Sequence, residues 1–235
     1  MSTAPVPFSA RLRAASQGAH AAAEGQHYVT ALVAGHVDLA GYVDLVVQHH
    51  ALYQALESAA EAMRDDPLAG PFVDDALTRL PALEADLTHL VGPDWARRSA
   101  PHAATLAYAD RIRAVATTSP ERFVAHHYTR YLGDLSGGRH IGRAVARRYG
   151  LSAQAGAAFY AFDRITRPKA YKDAYRARLD ALPLDPAAEA ALLEEVLLAY
   201  RHNTAVFAAL ARHVPDAVAG ADAGATEAVA TEAVA

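Results

Sequence analysis

A histidine with a carboxylate one helical turn away can hold a metal and have its own orientation set, and His20 and Glu24 in "SQGAHAAAEG" have that spacing. A ligating imidazole usually passes its other ring N–H to a carboxylate or carbonyl, which sets the tautomer. Ala19, Ala21, Ala22 and Ala23 leave room beside it for a bulky planar group. The same pattern also fits an ordinary surface or core histidine. A second candidate is "YLGDLSGGRH", residues 131–140, where Gly133, Gly137 and Gly138 interrupt a stretch that otherwise reads as helix. Each glycine there costs roughly 1 kcal/mol of helix propensity relative to alanine. Gly133 and Gly137 share nearly one helix face, as do Gly138 and Gly142. Such a run either ends a helix or lets two helices pack closely, or it lets backbone approach a flat ligand. Asp134 adds an acid that neither a cap nor close packing requires. A third candidate is "AYKDAYRAR", which sets Lys172 and Arg176 four apart, with Tyr175 alongside. That pair is a solvated basic face or a seat for an anion, with arginine binding a carboxylate bidentately.

Other chemistries fit poorly. A di-iron bundle needs two Glu-x-x-His motifs on different helices, whereas Glu24–His27 is alone and falls across Gly25. The adjacent pairs His49–His50 and His126–His127 point to different helix faces, so neither pair jointly holds one ion. No H-E-x-x-H, G-x-x-x-x-G-K-[ST] or G-x-S-x-G occurs, which disfavours hydrolase and phosphate-loop readings. With no cysteine there is neither disulfide nor thiolate chemistry, in keeping with a reducing cytosol. The formal charge of −4 offers no basic field for nucleic acid. No segment reads as a signal peptide or a membrane span, so a cytoplasmic protein is expected.

These residues need elements to position them, and nearly every segment has helical periodicity. Ser9 is expected to cap a helix ending near Gly25, and "QHYVTALVA" a short one ending at Gly35. Asp38 should cap a long helix to about Arg64, with Tyr42, Leu45, Val46, Leu52, Tyr53, Leu56 and Met63 as its apolar stripe. Pro81 and Gly92 bracket another helix. Further helices are expected over 101–118, 121–149, 153–161, 168–182 and 186–213, most of them opened by a proline. The expectation is one all-α domain over 1–215. An Ala-rich acidic tail over 216–235, with "ATEAVA" repeated, reads as disordered.

The segment "AHHYTRYLGDLSGGRHIGRAVARRYGL" resembles the signature helix of the heme oxygenases, whose "YTRYLGDLSGG" run stands unchanged at 128–138. "LRAASQGAHAAAE", "HHALYQALE", "FYAFDRITRPKAYKDAYRARLDAL" and "LLAYRHNTAVF" resemble other helices of that family in order and spacing, so most of residues 10–213 is covered. The resemblance implies an all-helical fold with heme b sandwiched between a proximal helix and a kinked, glycine-rich distal helix. Heme is then both cofactor and substrate, degraded with dioxygen and electrons from an external reductase to biliverdin, carbon monoxide and ferrous iron.

By resemblance His20 is the iron ligand and Glu24 orients it. Gly133, Gly137 and Gly138 let the distal helix lie on the porphyrin face. Asp134 acts through ordered water, supported by Tyr53, Arg130 and Asn203. Lys172, Arg176 and Tyr128 hold the heme propionates, with Arg13 near the same edge. Two departures are Gln17, where many mammalian members carry lysine, and Tyr200 on the pocket wall, where phenylalanine is common. Lys172 and Arg176 favour the α isomer of biliverdin. The expected partner is a ferredoxin or flavoprotein reductase met transiently by a monomer. Two other classes compete: a heme carrier or storage protein without turnover, and a helical interaction module that ignores hemin.

Overall fold

Asp38 starts the helix that the apolar stripe predicts. Its carboxylate accepts a 2.8 Å hydrogen bond from the Gly41 amide, satisfying one of the N–H groups that every helix start leaves over. In the computed structural model, which describes residues 5–216, this helix is α3 (Leu39–Ala62). It follows α1 (Phe8–Glu24) and α2 (His27–Ala34). Gly35 ends α2 at φ 79°, a left-handed conformation that glycine adopts without steric cost. Then come α4 (Leu80–Val91), the single turn α5 (Trp95–Arg98), α6 (Ala103–Ala116), α7 (Pro120–Gly133), α8 (Arg139–Tyr149), α9 (Pro168–Asp180) and α10 (Pro186–Leu210). Asp185 caps α10 by accepting from the Ala188 amide at 2.8 Å. The described residues contain no strand, so the fold is all-α.

α10 packs along α7, α1 and α6, while α3 packs on α6 and α4, and α2 on α8. The stripe of α3 is buried as its periodicity predicts, Tyr42, Leu45, Val46, Leu52, Tyr53 and Leu56 included. Each such side chain contributes about 1.5–3 kcal/mol through burial. α7 and α8 form one rod, joined at Asp134–Gly138 by a π-helical turn. The helix expected over 121–149 therefore exists, but it widens at the glycines. Such π turns are concentrated at functional sites.

Three expectations need correction. Ser9 does not cap α1, because Pro7 precedes the helix. Its amide and hydroxyl instead donate to the Asp180 carboxylate at 2.7 and 2.9 Å, tying α1 to the end of α9. The helix expected over 153–161 is a loop with one 3₁₀ turn at Ala158–Tyr160. Gly156 there has φ 85°, and the Asp86 carboxylate takes the Ala158 and Phe159 amides at 2.8 Å each. A helix over that stretch would give up both bonds. Finally, α10 ends at Leu210 and continues as a 3₁₀ turn to His213. The expected tail lies, from residue 217 onward, outside the described residues.

Candidate functional site

One cavity gathers most of the chemically equipped residues. α1 brings His20 and Glu24 to it, α7 brings Arg130 and Gly133, the π turn brings Asp134, Gly137 and Gly138, and α10 brings Tyr200 and Asn203. α1 and the π turn face each other across it, since a Cβ built on Gly137 would lie 3.4 Å from Glu24 Oε1. A Cβ on Gly133 would meet nothing within 4 Å. Gly133 is therefore not required by packing within the protein, and the space beside it suits a flat ligand.

His20 Nδ1 lies 3.4 Å from Glu24 Oε2, and the ring stands edge-on to Tyr200 at 5.5 Å. With Nδ1 turned to the carboxylate, Nε2 is left to ligate. No cluster of three or more His, Cys, Asp or Glu able to hold a bare ion occurs among the described residues. A lone histidine instead suits a metal that already carries four other donors, as iron does in a porphyrin.

The opposite wall is polar and under-satisfied. Arg130 Nη1 donates to Asn203 Oδ1 at 2.9 Å, and its guanidinium lies over the Tyr53 ring at 5.3 Å. Arg130 Nη2 stands 3.7 Å from Asp134 Oδ1, beyond hydrogen-bond reach. Arg130 Nε and Nη2, Asp134 Oδ2 and the Tyr53 hydroxyl are buried without a protein partner. Leaving such atoms unmet costs about 1–3 kcal/mol each, so the site is built for water or ligand. Burial pushes the Asp134 carboxyl well above the usual range, favouring its protonated form. Tyr53, fully buried, backs Arg130 and does not itself line the cavity.

The basic residues form a separate rim. Lys172 Nζ donates to Ser136 Oγ at 2.8 Å, joining α9 to the π turn, and Arg176 pairs with Asp173 at 2.9 Å. Burial lowers the Lys172 ammonium, and the Arg176, Arg13 and Arg139 charges push it the same way. An anion would relieve that crowding. Burial raises the Tyr128 hydroxyl while Arg176 and Arg13 oppose it. None of Arg13, Tyr128, Lys172 and Arg176 lines the cavity wall. Tyr175 does not share this face, because it is fully buried and hydrogen-bonded to His127 Nδ1 at 2.9 Å.

Sequence reasoning missed several residues here. His49, Phe159 and Tyr160 line the cavity, two of them delivered by the loop that was expected to be helix. On α10, Glu195 is completely buried and accepts from Arg111 at 2.8 and 2.5 Å and from Arg122 at 2.9 Å. It also lies 2.8 Å from His126 Nε2. A charged residue inside the apolar face of α10 was the one available signal for that cluster.

The family model described as heme oxygenase matches residues 6–209. The chain belongs to the heme oxygenase family. Heme oxygenase 1 of Synechocystis is 35% identical over 202 residues, covering 86% of this chain and 84% of the relative. A heme oxygenase of Takifugu rubripes is 35% identical over 201 residues, covering 85% of this chain and 73% of the relative. Among solved structures, heme oxygenase-1 from Synechocystis in complex with heme superposes with a TM-score of 0.85 at 34% identity, covering 91% of this chain and 96% of that one. The heme oxygenase of Leptospira interrogans gives 0.81 at 29% identity, covering 87% and 100%. For a heme oxygenase the arrangement is coherent: one histidine on α1, a glycine-lined turn opposite, and beside it an acid whose Oδ2 is buried. Among the described residues no helix is long and apolar enough to cross a membrane.

Proposed function

We propose that this heme oxygenase opens the porphyrin of bound heme with dioxygen and electrons from an external reductase, yielding biliverdin, carbon monoxide and ferrous iron. The observation that carries the reading is the buried Asp134–Arg130 set, whose unpartnered atoms stand at the wall of the cavity that His20 also lines. A carrier has use for His20 and the basic rim but none for a buried acid aimed at the bound group. Bound heme supplies the iron that activates dioxygen and the ring that is oxidised.

The protein's part is binding, orientation and proton supply. His20 Nε2 holds the iron from α1, with Glu24 selecting the tautomer. Gly133 and Gly137 let the π turn lie on the other face, where a side chain would stand in the ligand's place. Burial holds the Asp134 carboxyl well above the usual carboxylate range and favours its protonated form, so water beside it has a donor at hand. Arg130, fastened to Asn203, holds that water from a second side. Arg13, Tyr128, Lys172 and Arg176 take the propionates at the rim. Held there, the propionates would fix how the porphyrin sits in the cavity and so which meso carbon is oxidised, a positioning effect. We assign the α isomer on the Lys172–Arg176 pair, a cytoplasmic monomer, and a ferredoxin or flavoprotein reductase docking at the same rim.

The test is to titrate hemin into the purified protein and into His20→Ala, record both spectra, and supply ascorbate aerobically. The wild type should form a Soret complex that bleaches as biliverdin absorption grows, with carbon monoxide trapped by added globin. His20→Ala should show an altered ferric spectrum and no turnover. A stable complex that never degrades under several reductants identifies a carrier, and absence of a complex overturns both readings.

A further inference from the structure

His49 is a cavity residue with ring nitrogens that the roles above leave unused. It sits on α3, 7% exposed, with its ring 4.8 Å from Phe159 and 6.5 Å from Tyr53. Among the described residues no protein group hydrogen-bonds either of its ring nitrogens, and the residue lines the same cavity as Asp134 and Arg130. An imidazole buried among aromatic rings loses its water, and packing alone would favour an apolar side chain there. A polar side chain in that position needs a partner inside the cavity.

We propose that His49 is a positioning residue of the distal cavity: its imidazole anchors water that also meets Asp134 and Arg130, extending the polar wall from the π turn to α3. Buried water needs two to four polar partners. Asp134 Oδ2 and Arg130 Nη2 lack protein partners, and His49 adds a third group from a different element. Burial lowers the proton affinity of His49 and the Arg130 charge lowers it further. The ring is therefore neutral at pH 7 and offers one donor and one acceptor.

This inference rests on the heme oxygenase reading, and its test separates the two. Wild type, His49→Leu and His49→Gln are compared without heme by thermal melting. As ferric heme complexes they are compared by the pH midpoint at which the coordinated water ionises. Without heme, both variants should melt cooperatively close to wild type, which shows that the ring is not needed for folding. In the complex, His49→Leu should raise the midpoint by about half a pH unit or more, the size of one lost hydrogen bond. His49→Gln, which keeps a donor and an acceptor, should stay near wild type. An unchanged midpoint in His49→Leu overturns the role, as does a His49→Gln value that follows leucine. If His49→Leu does not fold, the ring is structural, and a His49→Gln midpoint differing from wild type overturns the role on its own. Wild-type protein that takes up no hemin defeats the functional reading first and this role with it.

Discussion

Asp134 gives up electrostatic comfort in the heme-free protein. Its carboxyl is held above the ordinary range by burial, so the native state binds a proton that the unfolded chain releases at about pH 4. The stability this group contributes is fully present below that pH and is lost as pH rises through the native value. Asparagine mimics the neutral acid at every pH. Asp134→Asn should therefore gain in melting temperature over wild type as pH is raised from 5 to 8 in heme-free protein, while its biliverdin yield falls. A melting difference that stays flat across that range would mean that Asp134 ionises as an ordinary surface acid. The same cost recurs at His49, another polar side chain in the same wall. The "GD" inside a glycine run was a visible candidate, and both residues do line the cavity. His49 was not, because in a His49–His50 pair the sequence does not say which ring enters the core.

At the scale of elements, glycines of one motif do two different jobs. Gly133 has open space where a Cβ would go, whereas a Cβ on Gly142 would lie 2.6 Å from Tyr160 Cβ. Gly133→Ala should raise the melting temperature of the heme-free protein, by up to about 1 kcal/mol of helix propensity, and weaken hemin binding. Gly142→Ala should destabilise by about 1–3 kcal/mol through overpacking whether or not heme is present. Melting curves with and without hemin distinguish the two, and equal behaviour would refute the division. The spacing of these glycines was plain in the sequence, but the π turn and the partner across each glycine were not. Likewise the 153–161 segment has helical composition, yet Asp86, some seventy residues away, holds its amides in another conformation.

For the molecule as a whole, Glu195 joins three helices. Burial would raise its carboxyl, but hydrogen bonds from His126, Arg111 and Arg122 outweigh that and hold it low. Such a group stabilises the fold above the ordinary carboxylate range and loses that effect as pH falls through its native value. Glu195→Gln should cost about 3 kcal/mol at neutral pH, the low end for breaking a buried ion pair, because Arg111 and Arg122 stay a third exposed and regain water. The gap to wild type should narrow in acid, and a gap independent of pH would show that packing rather than charge joins α6, α7 and α10. What the sequence by itself determined is local: periodicity set the all-α class, proline, glycine and aspartate set most helix ends, and the glycine–aspartate run pointed to the turn that lines the cavity. Only the tertiary structure decided which side chains share the cavity, which glycines face open space, and which polar atoms go unpaired. Those outcomes depend on hydrogen bonds and contacts between residues far apart in the chain, and short-range spacing carries no record of them.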